Sequence, residues 1–144
     1  MTKYSSITAA GGERADQIRV MIVDDSAVAR AVLSRILGSD DRVSLSFSAD
    51  SSASALAFLA QEKVDIVLLD IEMPSRSGLE ALPDIIAAAS GAKVVIVSSH
   101  GEENGPPALK ALELGAADTL AKPGKRGLSG TFAKTLLEKI IRLG

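Results

Sequence analysis

Four places in this 144-residue chain carry side chains that could act together on a phosphoryl group. The acidic pair Asp24-Asp25 follows the apolar run IRVMIV, and a single acid, Asp70, follows VDIVLL. Ser98-Ser99 follows AKVVIV, and Lys122-Pro123 follows ADTLA. Three carboxylates with open water positions suit a hard divalent ion: magnesium takes oxygen ligands, keeps several waters and binds through one or two carboxylates. Such an ion can also bridge to a phosphoryl oxygen. Lysine supplies a compact charge with three donors, and serine supplies a hydroxyl. A nucleophilic carboxylate, a metal, a lysine and a hydroxyl are the parts needed around the equatorial oxygens of a phosphoryl group. Each position alone has a plainer explanation, since an acid after a strand is usually a turn or cap residue and Lys-Pro is usually an exposed loop. Their order along one chain gives the set its weight. Asp70 poses the sharpest question, because burying an unpaired charge is costly. It must reach solvent, find a partner or hold a metal.

These positions need a scaffold that brings distant parts of the chain to one rim. From Ile18 onward, strand and helix signals alternate. IRVMIVDD reads as a buried strand. SAVARAVLSRILGS places Val28, Val32, Leu33, Ile36 and Leu37 on one helical stripe, with Ser26 to cap it and Gly38 to end it. RVSLSFSAD alternates, with Val43, Leu45 and Phe47 on one face and Ser44, Ser46 and Ser48 on the other, which predicts a strand at a sheet edge. SASALAFLAQEK reads as a second helix and VDIVLL as a fully buried strand. SGLEALPDIIAAAS reads as a third helix with Pro83 near its first turns, and AKVVIVSS as a fourth strand. PPALKALELGA predicts a helix stopped by Gly115, ADTLAKP a short fifth strand, and SGTFAKTLLEKIIRLG an amphipathic closing helix. Five strands alternating with five helices imply a parallel sheet covered on both faces. In such a sheet, ligands bind beyond the carboxyl ends of the strands. Those ends carry the three acids, the serine and the lysine.

The remaining features narrow the function. The length suits one domain, read as residues 18–144 behind a mobile tail at 1–17 that contains Gly11-Gly12. Aromatic residues make up only 3% of the chain, so Leu, Ile, Val and Ala must fill the core. A formal net charge of −2 argues against a nucleic-acid partner. No apolar run approaches the roughly 18–20 residues that span a bilayer, and MTKYSSITAAGGERADQ shows no secretory signal. Without cysteine, neither a disulfide framework nor a thiolate metal site is possible. The expectation is a cytoplasmic, monomeric protein that binds neither membrane nor nucleic acid.

The pieces VMIVDDSAVAR, VDIVLLDIEMPSRSGLEAL, VVIVSSH and LGAADTLAKP resemble the receiver domain of two-component response regulators. The resemblance runs from Val20 to the last helix. It implies an α/β fold of the flavodoxin-like (CheY-like) kind: a doubly wound five-stranded parallel sheet of order 2-1-3-4-5 with five helices. It implies that Asp70 is the phospho-acceptor and that Mg2+ is held by Asp25 and Asp70, with Asp24 helping through water and Glu72 giving its backbone carbonyl. Ser98 takes the place of the switch hydroxyl, Lys122 that of the phosphoryl-contacting lysine, and Gly78 opens the helix after the acceptor loop. Glu72 and His100 lie two residues past Asp70 and Ser98, where this family tunes the phosphoryl lifetime; two solvated loop residues are the plainer alternative. Thr119, three before Lys122, departs from the aromatic switch residue usual in the family. A ring flipping inward cannot be the readout here, so the expected readout passes through Ser98 and small residues of the output surface.

Within the family, DIEMPSRSGLEAL, VVIVSSH and ALELGAADTLAKP look most like the receiver of the chemotaxis methylesterase CheB. The chain has a single histidine and no G-x-S-x-G elbow, so it carries no esterase machinery. Two explanations stay open: a stand-alone CheY-like chemotaxis regulator, or an excised receiver fragment of a CheB methylesterase. The resemblance implies a CheA-type histidine kinase as phosphoryl donor, its phosphotransfer domain docking on the first helix at Ala27 and Val28. The implied output is the surface of the fourth helix, fifth strand and fifth helix, directed to the flagellar motor switch protein FliM. A phosphate sink with no output target is the alternative. The expectation is a signalling protein with autodephosphorylation rather than an enzyme. A phosphohydrolase of the haloacid-dehalogenase type is the contrasting reading, and it would want a second aspartate where Glu72 stands.

Overall fold

The computed structural model describes residues 16–73, 77–98, 106–122 and 130–144. In chain order they form β1 (Ile18–Val23), α1 (Ala27–Gly38), β2 (Val43–Ala49), α2 (Ser52–Leu59), β3 (Ile66–Asp70), α3 (Gly78–Ala89), β4 (Lys93–Ser98), α4 (Pro106–Leu114), β5 (Asp118–Ala121) and α5 (Gly130–Leu143). The five strands form one parallel sheet in the order β2-β1-β3-β4-β5. The alternating elements and the implied strand order are both present. Most of the expected tail (residues 1–15) lies outside the described residues, as does His100. At the near end of that tail, Gln17 Nε2 donates to the Asp41 carbonyl at 3.0 Å.

Alternation within the central strands builds two cores. Val20 and Ile22 of β1 and Ile66 and Leu68 of β3 pack with Leu33, Ile36 and Leu37 of α1 and Phe132, Leu136 and Ile140 of α5. Met21, Val23, Val67 and Leu69 point the other way, to Leu59 of α2, Leu82 and Ile85 of α3 and Ala111 of α4. Right-handed crossovers explain this division. The β1→β2 connection runs toward one edge of the sheet, whereas β2→β3, β3→β4 and β4→β5 run toward the other. So α1 covers one face, and α2, α3 and α4 cover the opposite one. The chain reverses direction between β1 and β3, and this is where the carboxyl ends of two adjacent strands leave a crevice.

Two expectations need correction. Val43, Leu45 and Phe47 do not share a face. The β1–β2 register shifts between Val20 and Met21, so that Leu45 pairs with Val20 while Phe47 pairs with Met21 and Ser46 is extra. Val43 therefore joins the core beneath α1 and α5, whereas Phe47 packs on the opposite one. There it stacks on Phe58 with ring centroids 4.5 Å apart. An inserted residue reverses the two-residue period of a strand. The second correction is α2, which ends at Leu59 rather than running to Lys63. The N–H groups of both Gln61 and Glu62 fall on the Phe58 carbonyl, which winds the helix out into a turn. The other helix ends follow their signals. Ser26 Oγ accepts from the Ala29 N–H, and Gly115 stops α4 at φ 116°. Gly38 is the last residue of α1, with Ser39 as its cap.

The start of α3 is fixed unusually tightly. Ser77 and Glu80 form a reciprocal capping box, and the Gly78 N–H donates to the Ile71 carbonyl at 2.6 Å. A Cβ on Gly78 would collide with the Asp70 carbonyl oxygen and crowd Ile71. Only glycine lets the helix close on the end of β3. At the far edge, Asp118 fastens β5 to α5: its Oδ2 accepts from Lys139 Nζ at 2.8 Å and from Arg142 Nη2 at 3.1 Å. Gly78→Ala is expected to lower stability by about 1–3 kcal/mol, the usual cost of forcing atoms into a packed site. Urea unfolding of the variant beside the wild type checks this, and an unchanged midpoint would mean that α3 can move off the strand freely.

Candidate functional site

The carboxyl ends of β1, β3, β4 and β5 bring Asp24, Asp25, Asp70, Ser98 and Lys122 to one end of the sheet. Val23 and Leu69 are register partners, so the residues that follow them stand side by side. Asp24 is 1% exposed and Asp70 3% exposed, while Asp25 faces solvent. One oxygen from each of the three carboxylates lies within 4.8 Å of the others. Ser98 ends β4 opposite Ala121. Its carbonyl accepts the Lys122 N–H at 2.7 Å, which carries the lysine past the end of β5 and over the acids.

Lys122 Nζ lies 2.7 Å from Asp24 Oδ2 and 3.5 Å from Asp70 Oδ1. Neither buried oxygen has a hydrogen bond of good angular geometry among the described residues, so charge rather than directed bonding holds the lysine there. Asp24 is otherwise pinned. Its N–H donates to the Ala49 carbonyl at 3.0 Å, its Oδ1 accepts from the Ser26 N–H at 2.9 Å, and its carbonyl accepts from Arg30 Nη1 at 2.8 Å. Three carboxylates against one ammonium leave two uncompensated negative charges if all are ionised. The Asp70 carboxyl is accordingly pushed up to about 7, first by burial and then by the charge of Asp24. The pull of Lys122 opposes this, and Asp25 adds a smaller push.

The donor set fits a hard divalent cation. All three side chains offer carboxylate oxygens, one is open to solvent, and two buried oxygens face inward without a directed bond. Of the other residues singled out from sequence, Glu72, Ala27, Val28 and Thr119 lie among the described residues and His100 does not. Glu72 is half-buried just past the end of β3. Ala27 and Val28 are exposed at the start of α1 beside Asp25, Val28 at 75%. Thr119 is buried in β5 and pairs with Ile96, on the face that carries Ala111 of α4. Sequence reasoning missed Arg30. A basic residue six positions past Asp24, on a helix that starts beside the acids, was the available signal.

The raised Asp70 carboxyl gives a signed pH dependence. Between about 4 and 7 the folded state binds more protons at Asp70 than the unfolded chain does, so this residue's contribution to stability falls as pH rises through that window. Without divalent metal, Asp70→Asn is expected to be more stable than the wild type by about 1–3 kcal/mol above pH 7. The difference should fade below pH 4. Urea unfolding of both proteins in chelator at pH 4, 5.5 and 8 checks this, and a difference independent of pH would remove the charge argument.

The chain matches the response regulator receiver domain family over residues 20–128. A protein-glutamate methylesterase/protein-glutamine glutaminase of Caulobacter vibrioides is 45% identical over 129 residues, which is 88% of this chain and 37% of that protein. The chain thus spans only about a third of the length of the curated relatives it matches. Among solved structures, the response regulator domain of Thermotoga maritima CheB aligns at 38% identity and a TM-score of 0.77, covering 88% of this chain and 96% of that one. A structure of the P1 domain of CheA3 in complex with CheY6 from R. sphaeroides aligns at 32% identity and a TM-score of 0.74, covering 89% of this chain and 97% of the matched chain. The strand order, the acidic crevice between β1 and β3 and the match over most of the sequence agree, and the chain belongs to the response regulator receiver domain family.

Proposed function

We propose that this chain is a chemotaxis-type receiver whose Asp70 accepts a phosphoryl group from the phosphotransfer domain of a CheA-type histidine kinase. One observation carries the reading: a buried acid at the end of β3 stands within reach of two further acids and one lysine. Asp24, Asp25, Asp70 and the Glu72 carbonyl would hold Mg2+, which when bound would neutralise charge on the phosphoryl oxygens. The chain's own groups do the rest. Deprotonated Asp70 forms the new O–P bond as the P–N bond to the donor's imidazole breaks, and the imidazole leaves with that electron pair. Lys122 balances charge on one phosphoryl oxygen and the Ser98 hydroxyl binds another. Burial of Asp70 at the crevice floor restricts water around the acyl phosphate, and Glu72 and His100 set its lifetime.

Support for the donor comes from the neighbour solved with a P1 domain, and from the exposed Ala27 and Val28 beside Asp25. The output face would be that of α4, β5 and α5, where Leu109 is 51% and Leu112 41% exposed. Its readout passes from Ser98 through Thr119 and small residues of α4. FliM is the proposed target of a free-standing monomeric regulator in the cytoplasm. The similarity to methylesterase receivers favours a second reading, in which the same face controls a linked methylesterase domain. No helix among the described residues is long and apolar enough to cross a membrane.

Intact-mass spectrometry after incubation with magnesium and acetyl phosphate tests the acceptor. The wild type should gain one phosphoryl adduct that is absent from Asp70→Asn and from samples with chelator. An adduct that persists in Asp70→Asn, or none in the wild type, would overturn the assignment. Phosphorylation-dependent binding to purified FliM then separates a motor regulator from a phosphate sink or a methylesterase receiver.

A further inference from the structure

Asp24 and Asp25 are adjacent in sequence but held in different ways. Asp24 is fixed through its N–H, its carbonyl and both carboxylate oxygens. Asp25 is exposed, and no hydrogen bond or ion pair holds its carboxylate among the described residues. Yet it lies within the same 4.8 Å group. The backbone sets the direction of its Cα–Cβ bond, from which the carboxylate reaches the group. The carbonyl of Asp24 belongs to the peptide plane that joins the two acids, and a peptide unit is rigid. Arg30 Nη1 donates to that carbonyl at 2.8 Å from a half-buried position on α1. Turning this plane would swing the Cα–Cβ bond of Asp25 away from Asp24 and Asp70.

We propose that Arg30 is the positioning residue that aims Asp25 at a divalent cation, by clamping the peptide between the two acids. The inference rests on the metal-dependent reading above. Its sign separates it from simple electrostatics. A guanidinium near a cation site repels the cation, so charge alone predicts that removing Arg30 tightens metal binding. Aiming Asp25 predicts the reverse. It also predicts that Arg30 acts only through Asp25, so the two effects must not add.

Calorimetric titration of the full chain with MgCl2 alone tests this in the wild type, Arg30→Ala, Arg30→Met, Asp25→Asn and Arg30→Ala combined with Asp25→Asn. Arg30→Met keeps the aliphatic stem and carries the test if urea unfolding shows that the alanine variant has lost the fold. Arg30→Ala and Arg30→Met are each expected to weaken Mg2+ affinity by about tenfold, a usual cost of losing a group that orients a metal ligand. The double variant should bind no more weakly than Asp25→Asn alone. A folded Arg30 variant that binds Mg2+ as tightly as the wild type, or more tightly, overturns the proposal, as does full additivity with Asp25→Asn. If the wild type itself takes up neither Mg2+ nor a phosphoryl group, the acceptor reading fails and this inference falls with it. If the wild type takes up both and the Arg30 variants match it, only the inference falls.

Discussion

Two buried carboxylates on neighbouring strands must share a positive charge, and much of the rim is arranged to supply one. Asp24 and Asp70 are adjacent because β1 and β3 are adjacent, and that pairing follows from the reversal of winding between them. Their mutual repulsion in a low-dielectric crevice is large. Lys122 meets it only because β5 runs parallel to β4 and its chain is tied back to Ser98. Lys122 offsets one of the three carboxylate charges, and a divalent cation would offset the other two. The high proton affinity of Asp70 comes first from its burial and then from the nearby charge of Asp24, which the lysine only partly offsets.

Around this charge cluster the backbone is held by contacts that tolerate little change. Gly78 brings α3 against the Asp70 carbonyl, Ser77 and Glu80 lock the turn that precedes the helix, and four groups grip Asp24. The exposed carboxylate of Asp25 is the part of the cluster left to adapt. Rigid buried acids beside one steered, solvent-facing acid let a ligand enter without disturbing the strands. At the opposite end of β5, Asp118 holds α5 through Lys139 and Arg142. Partial burial alone would raise its carboxyl, but the Lys139 hydrogen bond, the Thr119 N–H and the two cationic charges outweigh this and keep it ionised below the usual range. This end of α5 is therefore anchored.

The acids and the lysine were legible in the sequence because each follows a run that ends in apolar residues, which places the charge at the sheet's rim. Helix caps at Ser26 and the stop at Gly115 were legible because local hydrogen bonding and backbone conformation dictate them. Strand order was not legible from periodicity, since it depends on which crossovers the whole chain makes; the resemblance supplied it. The face of Phe47 was not legible because the extra residue, Ser46, continues the alternation of apolar and polar residues in the sequence while shifting the register of the strand. Arg30 escaped notice because its partner is a main-chain carbonyl, and a bond to the backbone carries no pairing pattern in the side-chain text.

The extra residue in β2 acts as a frame shift within the strand. Before it, the edge strand contributes side chains to one core; after it, to the other, so a short element stitches both layers to the sheet. Removing Ser46 would restore a regular ladder, with Leu45 still opposite Val20 and Phe47 still opposite Met21, each on its present face. The interruption also breaks the run of evenly spaced backbone groups along this free edge. A foreign strand would need the same irregularity to pair with it, which limits runaway sheet extension at one of the two places where the sheet is open.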